Sequence, residues 1–214
     1  MRLPSVLLMS VLLVACAHSA SSPYAAASGI KRDDSGAGDR AHRIIPLEPM
    51  TGDVEILYGD PEKPGQPFVM RIRELPGSIV PLHSHPVDEN ITVVSGTWYF
   101  AVGDKWDRAA LKEIRTGGYA FAPKGSTMFG YSPDGAVVQV HGIGPFHIHW
   151  IHGVSTLDDA NAASIFTFRK DEHIDSPRGK GVIRQGYASG DIIQYEIAGD
   201  DGTAFMANQN EMRR

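Results

Sequence analysis

From residue 44 onward the sequence is built of short segments that alternate apolar and polar residues and are cut by glycine and proline. Alternation with a period of two is the mark of half-buried strands, because successive side chains leave a strand on opposite faces. "FVMRIRE" (68–74) sets Phe68, Met70 and Ile72 against Arg71 and Arg73. "ITVVSGTWYFAVG" (91–103) is rich in β-branched and aromatic residues and is interrupted by Ser95-Gly96. "YAFAP", "AVVQVHG" and "FHIHWI" follow with Gly or Pro between them, and 23 glycines and 14 prolines supply the turns. Many antiparallel strands joined by tight turns predict a barrel or a sandwich. One piece reads as helix: "DRAALKEI" (107–114), with Asp107 as its N-cap.

A chain of 214 residues with 42% hydrophobic residues can bury one sizeable core with a small appendage. The net charge of −5 and the lack of a basic run give no reason to expect a nucleic-acid partner. The barrel is expected over 44–153 and a β-rich extension over 154–214. In the extension, strand-like runs at 182–184, 192–197 and 204–207 are separated by Gly and Asp, and "GDDGT" (199–203) reads as a hairpin turn. This extension resembles a small SH3-like β module; the other reading is a set of extra strands packed on the barrel.

The N-terminus has a different character. Arg2 precedes an apolar run at 7–14 that is too short to span a bilayer. "LVAC" (13–16) resembles the bacterial lipoprotein signal, in which the chain is cleaved before a cysteine that then carries lipid. The resemblance implies a signal peptide at 1–15 and a lipid anchor on Cys16. Ala17, where an inner-membrane retention signal would place Asp, implies the outer membrane, with the protein facing the periplasm. The other reading is an ordinary secretory signal cut near Ala20. Either way the single cysteine of the chain leaves the mature protein without a disulfide or a thiolate ligand. Residues 16–43 are small, polar and charged and are expected to form a tether.

The chemistry is concentrated in "GSIVPLHSHPVDENITVVSG" (77–96). His83 and His85, two residues apart on a strand, project to one face, and Glu89 can return from the next strand. Two imidazoles and a carboxylate suit iron, manganese, zinc, nickel or copper. Gly77, His83, His85, Glu89 and Gly96 fill every fixed position of the first cupin motif, G-x5-H-x-H-x3-E-x6-G. "GGYAFAPKGSTMFGYS" (117–132) resembles the second motif through Gly117, Pro123 and Gly125, but Met128 stands where the family has its fourth metal ligand, a histidine, and Ser132 where it has asparagine. The chain thus resembles a single-domain bacterial cupin, an all-β antiparallel barrel of jelly-roll type. The resemblance implies a divalent transition metal on His83, His85 and Glu89. Three arrangements would make up for the fourth ligand: water, the Met128 thioether, or His141 from the strand that follows. A degenerate site that holds metal weakly or not at all is the remaining reading.

"FHIHWIH" (146–152) holds a second His-x-His pair, but no glutamate follows at cupin spacing, and a solvent-facing stripe of His147 and His149 over inward Ile148 and Trp150 is expected. Trp98, Phe100, Tyr119 and Phe121 are the candidate pocket walls. Because a cupin fold does not fix a function, two classes stand. The first is a metal-dependent enzyme of the cell envelope, oxygenase- or isomerase-like, acting on a small organic molecule. The second is a non-catalytic lipoprotein that binds or senses a small molecule or a metal. Cupins often pair through sheet edges, which makes a homodimer the expected assembly.

Overall fold

The computed structural model describes residues 43–45 and 50–214. The expected signal peptide, Cys16 and most of the tether lie outside the described residues, which all fall within the contact unit Arg40–Arg214. The strands are β1 (Arg43–Ile45), β2 (Asp53–Tyr58), β3 (Pro67–Glu74), β4 (Ser78–Ser84), β5 (Glu89–Val102), β6 (Lys112–Arg115), β7 (Tyr119–Ala122), β8 (Met128–Ser132), β9 (Ala136–Ile143) and β10 (His149–Trp150). They form one curled antiparallel sheet in the order β1-β2-β3-β9-β5-β8-β4-β10, with β6 and β7 also paired to β5.

The shape follows from β5. Its first half pairs with β7 and β9, and its second half with β6 and β8, so one 14-residue strand serves both leaves of the barrel. The change of leaf occurs at Gly96. That residue has φ +75°, and a Cβ there would overlap the carbonyl oxygen of Gly135. Only glycine meets both conditions without strain. A bulge between Val93 and Ser95 precedes it. The bulge shifts the parity of the strand, so that Glu89 and Ile91 before it and Trp98 and Phe100 after it all face the interior. Phe68, Met70, Ile91, Val93, Val138 and Val140 fill the core between the leaves.

The helix expected over 107–114 is a single 3-10 turn, Arg108–Ala110. Asp107 does cap it, accepting from the Ala109 amide at 2.8 Å. The chain then leaves the helical path because Lys112–Arg115 pairs with Thr97–Phe100 of β5. Cross-strand pairing outweighs the weak helix propensity of so short a segment.

The C-terminal segment contains β11 (Ser155–Thr156), β12 (His173–Ser176), β13 (Gly179–Ser189), β14 (Ile192–Gly199) and β15 (Ala204–Asn208). β12 to β15 pair in sequence order, and β11 lies along β13. After a 3-10 turn at Gln209–Glu211, Arg213 bridges to Asp175 of β12, which closes the sheet on itself. Its core of Phe166, Phe168, Ile174, Ile183, Tyr195 and Ile197 is separate from that of the barrel. Buried Gln194 joins the two: its Nε2 donates to the Gly77 carbonyl and its Oε1 accepts from the Ile79 amide, both at 2.9 Å. Among the described residues no helix is long and apolar enough to cross a membrane.

Candidate metal centre

β4 carries His83, and His85 lies just beyond its end. Alternation from Val80, which lines the interior, would turn Leu82 and Ser84 inward. A bulge against β8 prevents this: Val80 pairs with Gly130 and His83 with Met128, so β4 has one residue more than its partner over that interval. Leu82 moves to a satellite cluster with Ala101 and Phe129, and His83 and His85 turn into the barrel. Gly130 leaves room beside them, since a Cβ at that position would overlap the Trp98 indole.

Both imidazoles are fixed by the same device. His83 Nδ1 donates to the Pro81 carbonyl at 2.7 Å, and His85 Nδ1 to the His147 carbonyl at 2.8 Å. With the Nδ1 protons committed, the Nε2 lone pairs remain for a ligand, as in metal-bound histidines. Aromatic rings pack against both imidazoles. Phe146 stacks on His85 with centroids 4.1 Å apart, and Trp150 lies 5.3 Å from the His83 ring. Burial pushes the pKa of His83 down to about 4. Burial, reinforced by His83, takes His85 to about 3. Both rings are therefore neutral at physiological pH, the form that binds a metal.

Glu89 opens β5 and faces the same space. Its Oε2 is buried without a hydrogen-bond partner, 3.7 Å from His85 Nε2. Burial raises its pKa to about 8, so without a cation beside it the carboxyl is protonated at neutral pH. A bound ion would displace that proton. In type, two imidazoles and a carboxylate suit a transition metal. In spacing they are not closed: among the described residues no three His, Cys, Asp or Glu side chains are grouped so as to hold an ion as they stand. The cavity they share with Trp98, Phe100 and Met128 has a volume of only about 40 Å³.

Three of the other candidates lie elsewhere. His141 is exposed on β9, where its neighbour Val140 takes the inward position. Tyr119 is 57% and Phe121 47% exposed, so neither is a pocket wall. Their parity is set by the pairing of Ala122 with Glu89, which turns Ala120 and Ala122 inward and the two rings outward. Trp98, Phe100 and Met128 do line the cavity. His147 and His149 are exposed, while Ile148 lines the cavity and Trp150 is half-buried.

Glu74 also lines this cavity and was not a sequence candidate. The signal was present: it continues the inward series Phe68, Met70, Ile72 by one more step. It pairs with Ala136, as does Gly96, seven residues along β5 from Glu89. Its Oε2 is buried and unpartnered, and burial raises its pKa to about 8 against the lowering effect of a Ser78 hydrogen bond. A wider cleft of about 540 Å³ lies outside the barrel, where Arg73, Ser78 and Ile79 face Gln185, Tyr187 and Glu196 of the C-terminal sheet.

Neither a protein-family model nor a curated protein matches the sequence. Solved structures do resemble the fold. A double-stranded β-helix protein from Klebsiella pneumoniae is 20% identical, over 44% of this chain and 81% of that one, with a TM-score of 0.36. An RmlC-like cupin from Shewanella frigidimarina is 15% identical over 49% and 86%, with a TM-score of 0.40. The polyketide cyclase RemF from Streptomyces resistomycificus is 15% identical over 54% and 79%, with a TM-score of 0.41. At this level of similarity nothing about the chemistry of this chain follows from them. The strand order itself makes the fold an all-β antiparallel barrel of jelly-roll type with a small C-terminal β module.

The raised pKa of Glu74 yields a stability prediction. Its folded value lies above its unfolded one, so its contribution is fully present below about pH 4.5 and is lost as pH rises through about 8. The loss is on the order of a few kcal/mol at the usual conversion. Glu74→Gln should flatten this slope, gaining stability over the parent at pH 8 to 9 but not at pH 5. Denaturant melts across that range measure it, and parallel curves would mean that Glu74 is not a buried neutral acid.

Proposed function

We propose that the chain is a metal-binding cupin that encloses one transition-metal ion, with His83 and His85 as nitrogen ligands through Nε2 and Glu89 as the carboxylate. The observation that carries this reading is the pair of Nδ1 hydrogen bonds. They leave both Nε2 atoms free, and that of His85 lies 3.7 Å from a buried Glu89 oxygen that has no hydrogen-bond partner. A buried polar atom left unpaired costs about 1–3 kcal/mol, and a metal ion would relieve that cost. Iron, manganese, zinc, nickel and copper all accept such donors.

Between the two function classes, the size of the interior favours binding or sensing over turnover. A cavity of about 40 Å³ accommodates an ion or a water, whose share of liquid volume is about 30 Å³. Pockets for small organic molecules run to roughly 300–1,000 Å³. An oxygenase- or isomerase-like reaction would need the stacked Phe146 and Trp150 to move aside and admit a substrate. We further propose that the protein acts in the cell envelope, held on the outer membrane by lipid on Cys16. Several acyl chains on one residue are enough for stable anchoring. Homodimerisation remains part of the proposal, with light scattering of the purified chain as its check.

Elemental analysis of the chain, purified without chelator, should find close to one metal ion per chain. His83→Ala and Glu89→Ala should each weaken binding by roughly 100-fold or more, since even residues outside a ligand set commonly cost 10–100-fold. Both variants should keep the circular dichroism of a folded barrel. Unchanged stoichiometry in both would overturn the assignment. For the anchor, Cys16→Ser should abolish incorporation of labelled fatty acid and release the protein from the membrane fraction; retention of label would refute lipidation there.

A further inference from the structure

The residue opposite His83 on the neighbouring strand is Met128, and it is 1% exposed. Side chains directly opposite in an antiparallel pair have Cβ atoms roughly 4.5–5.5 Å apart on one face. Met128, His83 and His85 all line the same small cavity. The two imidazole rings lie 5.0 Å apart and nearly perpendicular, with both Nδ1 atoms occupied. Two neutral nitrogen donors and a neutral thioether are therefore brought to one buried, largely apolar cavity.

Resting on the metal-binding reading above, we propose that the ion is copper in its reduced form, Cu(I), and that Met128 Sδ is a ligand to it beside His83 and His85. Three observations converge on this. Thioether sulfur is a soft, neutral donor well suited to Cu(I) and poorly suited to manganese, which favours hard oxygen donors, while zinc is borderline. Met128 stands opposite His83 in the pairing of β4 with β8 and lines the same cavity, which puts a thioether beside the imidazoles. Phe146 and Trp150 pack against the two imidazoles, and beside the single carboxylate of Glu89 a singly charged ion leaves no net charge in this buried, largely apolar site, whereas a dication leaves one. No step of electron transfer is involved: the ion arrives reduced and is held reduced. Glu89, the carboxylate of the reading above, lies 3.7 Å from His85 Nε2 and balances the charge of the ion, while the thioether sets the preference for a soft one.

An ordinary packing role for Met128 makes a different forecast, because Leu replaces Met in a core with little disturbance. The test is anaerobic titration of the full chain with Cu(I) against a chromogenic competitor, alongside Zn(II), with X-ray absorption of the loaded protein. Met128→Leu should lower Cu(I) affinity by roughly 100-fold, leave Zn(II) affinity within about threefold, and remove the sulfur scatterer from the copper spectrum. Met128→His should raise Zn(II) affinity and erase the preference for copper. Equal Cu(I) affinity in Met128→Leu and the parent, with no sulfur signal, overturns the proposal while the His83→Ala result still stands for the site. If the parent takes up neither ion, the metal-binding reading fails and this inference goes with it.

Discussion

β5 can serve both leaves of the barrel only because a bulge and a glycine interrupt its pleat. Without the bulge between Val93 and Ser95, a strand that turned Glu89 and Ile91 inward would turn Trp98 and Phe100 outward. A second bulge in β4 does the same for the histidines, letting Val80 and His83 face one interior although they are an odd number of residues apart. The candidate site is thus assembled by two local departures from alternation. Each supplies half of it: one the carboxylate and the aromatic wall, the other the imidazoles.

The same departures explain how far the sequence could be read. The run "ITVVSGTWYFAVG" announced a long strand with a break at Ser95-Gly96, and the break is where the strand changes leaf. Fixed spacing of Gly77, His83, His85, Glu89 and Gly96 pointed to one polar cluster, and the three polar side chains do share a cavity. Parity was not legible where it depended on a partner. Tyr119 and Phe121 face solvent because Ala122, not Phe121, pairs with Glu89. His141 faces outward by the same kind of register. "DRAALKEI" carries a sound capping signal but is too short to resist pairing with β5. Glu74 was legible and was passed over, because an alternating series ending in a carboxylate reads as the edge of a strand.

The physical balance inside the barrel has a direction. Two imidazoles and two carboxyls are buried there, and burial drives all four toward their uncharged forms. At neutral pH the empty interior therefore carries little charge, which a buried chamber requires. A cation changes the balance by favouring the anion of Glu89 and by using the Nε2 lone pairs that the backbone carbonyls leave free. The C-terminal module adds a second polar cleft and pins the start of β4 through Gln194.

The central claim concerns where an ion goes. The most direct measurement is an anomalous difference map from crystals of the chain grown with the metal it retains on purification. The account predicts one strong peak inside the barrel at bonding distance, roughly 2.0–2.3 Å, from the Nε2 atoms of both His83 and His85. A peak on the exposed imidazoles of His147 or His149, with the interior filled by water alone, would contradict it.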